Sequence, residues 1–179
     1  MDTAGNIYIA DEHDHAIRKV DAKTGIMDTV AGNGSAYGPF REGVPAKETS
    51  TPYPRAVAVG ASGDIFLLDN AFPKVRVRKV SGADGKIKTL CSVPDDAYNI
   101  DLDGKGFVYV TGNNGVYRID PESGDKKLVA GCGKAGYSGD GGPADAACLA
   151  GPRGVAFDKD GAMYIADTKN NRIRKVKFK

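Results

Sequence analysis

The chain repeats itself, and that constrains its fold more than any other feature. The phrase Tyr-Ile-Ala-Asp, a short polar loop and Ile-Arg-Lys-Val run from Tyr8 to Val20 and return from Tyr164 to Val176. Two degenerate copies lie between, Pro54 to Leu90 and Tyr98 to Gly131. Aligned on a common strand, the copies register at Ile7, Ile65, Val108 and Met163, with spacings of 58, 43 and 55 residues. Such periods suit propeller blades and exceed leucine-rich or ankyrin units. The uneven spacing sits in loops, where insertions are tolerated.

Within each copy the elements read as short strands. Val155-Ala156-Phe157, Met163 to Ala166 and Ile173 to Val176 are runs of β-branched and aromatic residues bounded by Asp, Asn and Gly. Asp103-Gly104 and Asp160-Gly161 suit tight hairpins. No sustained helical period is present. Four strands in a meander make one β-propeller blade. The first copy starts at its second strand and the last stops after its third. The pattern therefore predicts fourteen strands, or about three and a half blades, where closed propellers have four to eight. The chain is expected to be part of a larger propeller, or to close its ring with a second copy as a head-to-tail homodimer.

The segment Gly154 to Val176, GVAFDKDGAMYIADTKNNRIRKV, resembles the NHL repeat. The insert VAGCGKAGYSGDGGPADAACLAGPRGVAF resembles the long inter-blade loop of bacterial NHL proteins, and VAGNGSAYGPFREGVPAKETSTPYPRAVAV is its diverged partner. The expected organisation is one NHL-type propeller segment over 1–179. Its repeats cover about 2–32, 54–91, 97–131 and 151–179, with inserts at 33–53 and 132–150. The third repeat departs most, with Gly112 where the others carry Asp11, Asp69 and Asp167. The resemblance also implies a bacterial extracytoplasmic setting. The chain itself shows no leader and no run able to span a membrane as a helix. It opens inside a blade, so neither observation decides the compartment.

A net charge of +2 calls for neither nucleic acid nor a membrane as partner. The basic run Arg172, Arg174, Lys175, Lys177 and Lys179 reads as a solvated strand and tail. Three cysteines are too few for a disulfide scaffold. Cys132 and Cys148 share one insert and could pair, but partly buried free thiols are the favoured reading.

Asp11, Asp69 and Asp167 recur at one blade position, and Arg18, Arg78 and Arg174 at another. Recurrence in several blades points to architecture: a carboxylate closing a strand and pairing with the next strand's arginine. His13 and His15 form an H-x-H flanked by carboxylates, a weak candidate metal site. His15 falls where Asn171 falls, so a bond to the loop backbone is the preferred reading. NHL-like amidating lyases gather histidines from several blades, and this chain has two, both on one. The loop Gly136 to Pro143 lacks the Lys and helix of a phosphate-binding loop. Asp140 and Asp145 are too few for calcium. It reads as a compact glycine loop anchored by burial of the Tyr137 ring.

Arg55 and Arg153 begin innermost strands, near where propeller ligands bind, and could meet a carboxylate. Of the innermost strands, only Asp101 offers a charge to the channel. Tyr37, Tyr53, Phe40, Phe72 and Tyr98 lie on loops as candidate partner contacts. No nucleophile with its base and no metal set is assembled. The reading is a non-catalytic module that binds protein or glycan without a cofactor. The alternative is part of a metal-centred lactonase- or lyase-like enzyme, which needs acidic or His ligands from several blades.

Overall fold

The structure, a computed structural model, describes residues 1–178. Fourteen strands are found there, in four antiparallel meanders of three, four, four and three strands. Blade 1 holds β1 (Ile7–Asp11), β2 (Ala16–Val20) and β3 (Met27–Ala31). Blade 2 holds β4 (Ala56–Val59), β5 (Ile65–Ala71), β6 (Lys74–Val80) and β7 (Ile87–Val93). Blade 3 holds β8 (Ile100–Leu102), β9 (Val108–Gly112), β10 (Gly115–Ile119) and β11 (Lys126–Ala130). Blade 4 holds β12 (Gly154–Phe157), β13 (Met163–Asp167) and β14 (Arg172–Val176). The strand pattern predicted from the repeats is the one observed. Lys179, the end of the expected last repeat and basic run, lies outside the described residues.

The chain forms two compact units, Met1–Ser92 and one starting at Val93. In the first, β1 lies against β4, and Ile17 packs with Ala31, Ala46, Ile65, Leu67, Val80 and Ile87. In the second, β12 lies against β8, and Val116 packs with Ala130, Leu149, Val155, Met163 and Ile165. The alternation of the strands produces these clusters. In β13, Met163 and Ile165 face inward while Tyr164 and Ala166 face the other side.

The registers show why the repeats superpose. Asp11 opposes Ala16, Asp69 opposes Arg76, Gly112 opposes Gly115 and Asp167 opposes Arg172 in the strand-two to strand-three hairpins, and in blade 2 the ladder runs on to Ala71 opposite Lys74. The hairpins of blades 1, 3 and 4 carry left-handed residues at His15, Asn114 and Asn171. Asn tolerates that conformation, and His15 fills it in blade 1. Each outer strand before an insert ends in a glycine at positive φ, Gly32 and Gly131. A Cβ on Gly32 would sit 2.3 Å from the His15 carbonyl oxygen, and one on Gly131 2.5 Å from that of Asn114. Only glycine lets the chain leave the blade there.

Candidate functional site: arginine clamps and the loops they hold

Arg78 on β6 is fully buried, an expensive place for a charge. Its guanidinium donates to the carbonyls of Ser50 and Arg41, both at 2.9 Å, and reaches the Asp69 carboxylate at 3.5 Å. Asp69, also fully buried, accepts from Arg76 at 2.8 Å. Phe40 covers both guanidiniums, 3.7 Å from Arg76 and 4.1 Å from Arg78. Glu42 lies 3.7 Å from Arg78. Burial pushes the Asp69 carboxyl up, against the pull of Arg76 and Arg78. Burial likewise pushes the Arg78 guanidinium down, against the pull of Asp69 and Glu42. The pair fixes geometry, because each charge is held in one arrangement by several partners. What it fixes is the first insert.

The second unit repeats the device with different residues. Arg174 on β14 donates to the carbonyls of Cys148 at 3.3 Å and Ser138 at 3.1 Å, and to Asp167 at 3.3 Å. Asp140 pairs with it at 2.5 Å. Tyr137 lies 4.1 Å from the Arg172 guanidinium and 5.1 Å from that of Arg174. The Tyr137 ring was expected to anchor the loop by burial. It is half exposed, stacks on arginines and donates its hydroxyl to Asp140 at 2.7 Å. Cation–π attraction holds this ring in place of a hydrophobic pocket.

Cys132 and Cys148, favoured as free thiols, form a disulfide, with Cα atoms 4.7 Å apart. The clamp brings the two ends of the insert together, which sequence distance did not reveal. In the first insert a hydrogen bond from Ser50 Oγ to the Ser35 carbonyl takes the same place. Cys91 remains free.

Asp11 and Arg18 do not pair as expected. Among the described residues no ion pair joins them, and Arg18 donates to Thr29 Oγ1 at 2.9 Å. Blade 3, which follows the short segment 94–99, has Gly112 and Tyr117 at the two positions.

At the same end of the first unit lies an aromatic group. His15 Nδ1 accepts the Tyr53 backbone N–H at 3.2 Å, and the two rings meet edge to face at 4.5 Å. The neighbouring Tyr37 hydroxyl holds the Tyr53 phenol above its usual range. Tyr37 is 93% exposed, and Phe72, in the β5–β6 hairpin, is 96% exposed. His13 is exposed. Among the described residues no three His, Cys, Asp or Glu side chains gather as a metal set.

Asp101 accepts the Phe157 N–H at 3.3 Å, and Asn99 Oδ1 accepts that of Val155 at 3.0 Å, so both stitch β8 to β12. Burial pushes the Asp101 carboxyl up, against the N–H groups of Leu102 and Phe157. Arg153 is exposed and lies 5.0 Å from the Tyr98 ring. Arg55 starts β4, where its N–H bonds the Leu68 carbonyl at 3.0 Å.

One recurring device escaped the sequence reading. Asp2, Asp103 and Asp158 each accept the hydroxyl of a tyrosine six residues on, Tyr8, Tyr109 and Tyr164, all at 3.1 Å. Their other oxygens take backbone N–H groups of the turn. The signal was an Asp-x5-Tyr spacing in three of the four copies.

Meandering sheets with clamped inter-blade loops define the class as β-propeller blades. A family model described as the NHL repeat matches residues 149–176, which span the end of the second insert and blade 4. Residues 149–176 thus match an NHL repeat, set in a chain with the fold of a β-propeller. Teneurin-3 of Danio rerio is 33% identical over 138 residues, 69% of this chain and 5% of that protein. A streptogramin B lyase superposes with a TM-score of 0.58 at 19% identity, over 98% of this chain and 52% of the enzyme. A chain of a nidogen/laminin complex superposes with a TM-score of 0.61 at 15% identity, over 98% of this chain and 62% of its own length. These structures share the fold, and they include both an enzyme and a member of a protein complex. The chain spans about half of the lyase and a small part of Teneurin-3.

Proposed function

We propose that this chain is a non-catalytic binding module whose insert loops engage a protein partner. The observation that carries the reading is the aromatic group Tyr37, Tyr53 and Phe72, held at one end of the first unit with Tyr37 and Phe72 almost fully exposed. Large exposed aromatics on rigidly clamped loops are the usual anchors of protein contacts. Arg55, Arg153 and Asp101 are proposed as further contacts, the arginines for carboxylates of a partner or of a glycan. The neighbour in a nidogen/laminin complex is compatible with a protein partner. The test is photo-crosslinking from Tyr37 in native extract, with a glycan array in parallel. A specific adduct that disappears with Phe72→Ser supports the module. Equal capture by wild type and Phe72→Ser overturns it, and saturable array binding with no adduct makes the ligand a glycan.

A second copy is proposed as a further partner. Ile7 and Ile9 are 48% and 38% exposed, whereas their blade 2 counterparts Ile65 and Leu67 are buried against Ile17. Ile173, the counterpart of Ile17, is 69% exposed. The two faces repeat the halves of a buried blade contact, as head-to-tail stacking requires. Light scattering behind a sizing column decides: a discrete dimer supports the contact, and a single-chain mass at high concentration removes it. The enzymatic alternative would return if elemental analysis found one bound metal per chain.

A further inference from the structure

The chain contains two Asn-Gly pairs, Asn33-Gly34 and Asn114-Gly115, and the fold puts them in opposite settings. An asparagine before glycine is open to attack on its own side-chain amide, because glycine has no Cβ to shield its backbone nitrogen. The attack needs a free nitrogen and a side chain able to swing onto it. Here the two sites part.

Asn114-Gly115 is locked. Asn114 sits in the β9–β10 hairpin with a φ of 57°, and its Oδ1 accepts the Gly151 N–H at 3.0 Å. Gly115 is buried and stands opposite Gly112 in the ladder. The space around it is filled: a Cβ there would lie 2.5 Å from Leu128 Cδ1 and 2.9 Å from the Ala130 carbonyl oxygen. The Asn114 side chain reaches the Gly115 nitrogen only by giving up its bond to Gly151.

Asn33-Gly34 is open. Both residues are exposed, in the first insert just after β3. Gly34 has a φ of 77°, and a Cβ on it would meet nothing within 4 Å. Among the described residues neither the Gly34 N–H nor the Asn33 amide nitrogen makes a hydrogen bond. The Ser35 N–H donates to Asn33 Oδ1 at 3.2 Å, which draws charge from Cγ and makes it a better electrophile. The same serine carries the next link. Its Oγ accepts the Tyr37 N–H at 3.3 Å, and its carbonyl accepts from Ser50 Oγ. Asn33 is thus the first support of the turn that presents the exposed Tyr37.

We propose that Asn33 is a site of spontaneous covalent modification, converted to aspartate and isoaspartate, and that the conversion resets the loop carrying Tyr37. The Gly34 nitrogen gives its proton to water and bonds to Asn33 Cγ, and the side-chain nitrogen takes up a proton and leaves as ammonia. One water then opens the cyclic imide. Cleavage of the new Cγ–N bond restores the ordinary chain with an aspartate. Cleavage of the original peptide bond routes the chain through Cγ as isoaspartate. Either product is a carboxylate, ionised at neutral pH. The isoaspartate also adds a carbon to the main chain, which displaces Ser35 and removes the support of Tyr37. The modification does not depend on Tyr37 contacting a partner.

The test is peptide mapping by mass spectrometry of the folded full chain, stored at mildly alkaline pH and sampled over weeks. Tryptic fragments 24–41 and 106–118 report the two sites. Fragment 24–41 should acquire the amide-to-acid mass change and split into two chromatographic forms. It should do so on the order of tenfold faster than 106–118, whose reaction must first break the Asn114–Gly151 bond and the ladder. In denaturant the two rates should converge, because both asparagines precede glycine. Asn33→Gln, whose longer side chain closes a larger ring, should remain unmodified there. In the isotope-labelled chain the Tyr37 amide resonance should move on storage, and in Asn33→Gln it should hold still. An unchanged fragment 24–41 overturns the proposal, as do equal rates in the folded chain or a rate ratio that survives denaturation. A Tyr37 resonance that stays in place once position 33 is isoaspartate overturns the effect on the loop.

Discussion

Arg174 lies 3.3 Å from the Asp167 carboxylate, and from there it also reaches two carbonyls of the insert before its blade. Arg78 does the same from Asp69 to the first insert. One recurrent pair thus converts two diverged loop sequences into ordered blade ends. The inserts are held by these buried charges together with apolar side chains such as Ala46 and Leu149 in the cores.

Arg174→Leu should leave the Asp167 carboxylate buried without its cation and cost about 3–5 kcal/mol. Asp140 is exposed and can find water, so Asp140→Asn should cost far less. Chemical denaturation of both variants checks the difference. Equal losses would mean that the clamp draws its strength from the surface pair.

Gly131→Ala should destabilise by about 1–3 kcal/mol or more, because the residue needs positive φ and its Cβ would meet the Asn114 carbonyl. Gly133→Ala, at positive φ with open space around it, isolates the backbone strain. The excess loss in Gly131→Ala measures the close approach.

Cys132→Ser with Cys148→Ser should lower stability by about 3 kcal/mol, the loop-closure entropy of a bridge spanning 16 residues. Under strong reductant the wild type should fall to the level of the double variant. A reductant-insensitive melting curve would show that the bridge does not form in solution.

Acid stability should respond to Asp2. Hydrogen bonds from Asn6, Tyr8 and Ala4 hold its carboxyl at about 2, below the ordinary 3.8. A depressed folded-state pKa contributes stability that is present above 3.8 and lost as pH falls through about 2. Wild type should therefore exceed Asp2→Asn at pH 5 and converge with it near pH 2. A gap constant across that range would remove the carboxylate from the account.

The strands, their number and the Asp and Arg positions follow from local pattern. Alternation of apolar residues and the turn glycines act over a few neighbours, and four imperfect copies reinforce one another. Tertiary structure alone decided which of the recurrent pairs close. Asp69 with Arg78 and Asp167 with Arg174 do so because an insert wraps over them, whereas Asp11 and Arg18 are left to other contacts. It also brought Cys132 to Cys148, stacked Tyr137 on Arg172, and set His15 under Tyr53. Each of these depends on where a loop lands after long-range packing, and no periodicity in the chain encodes that landing point.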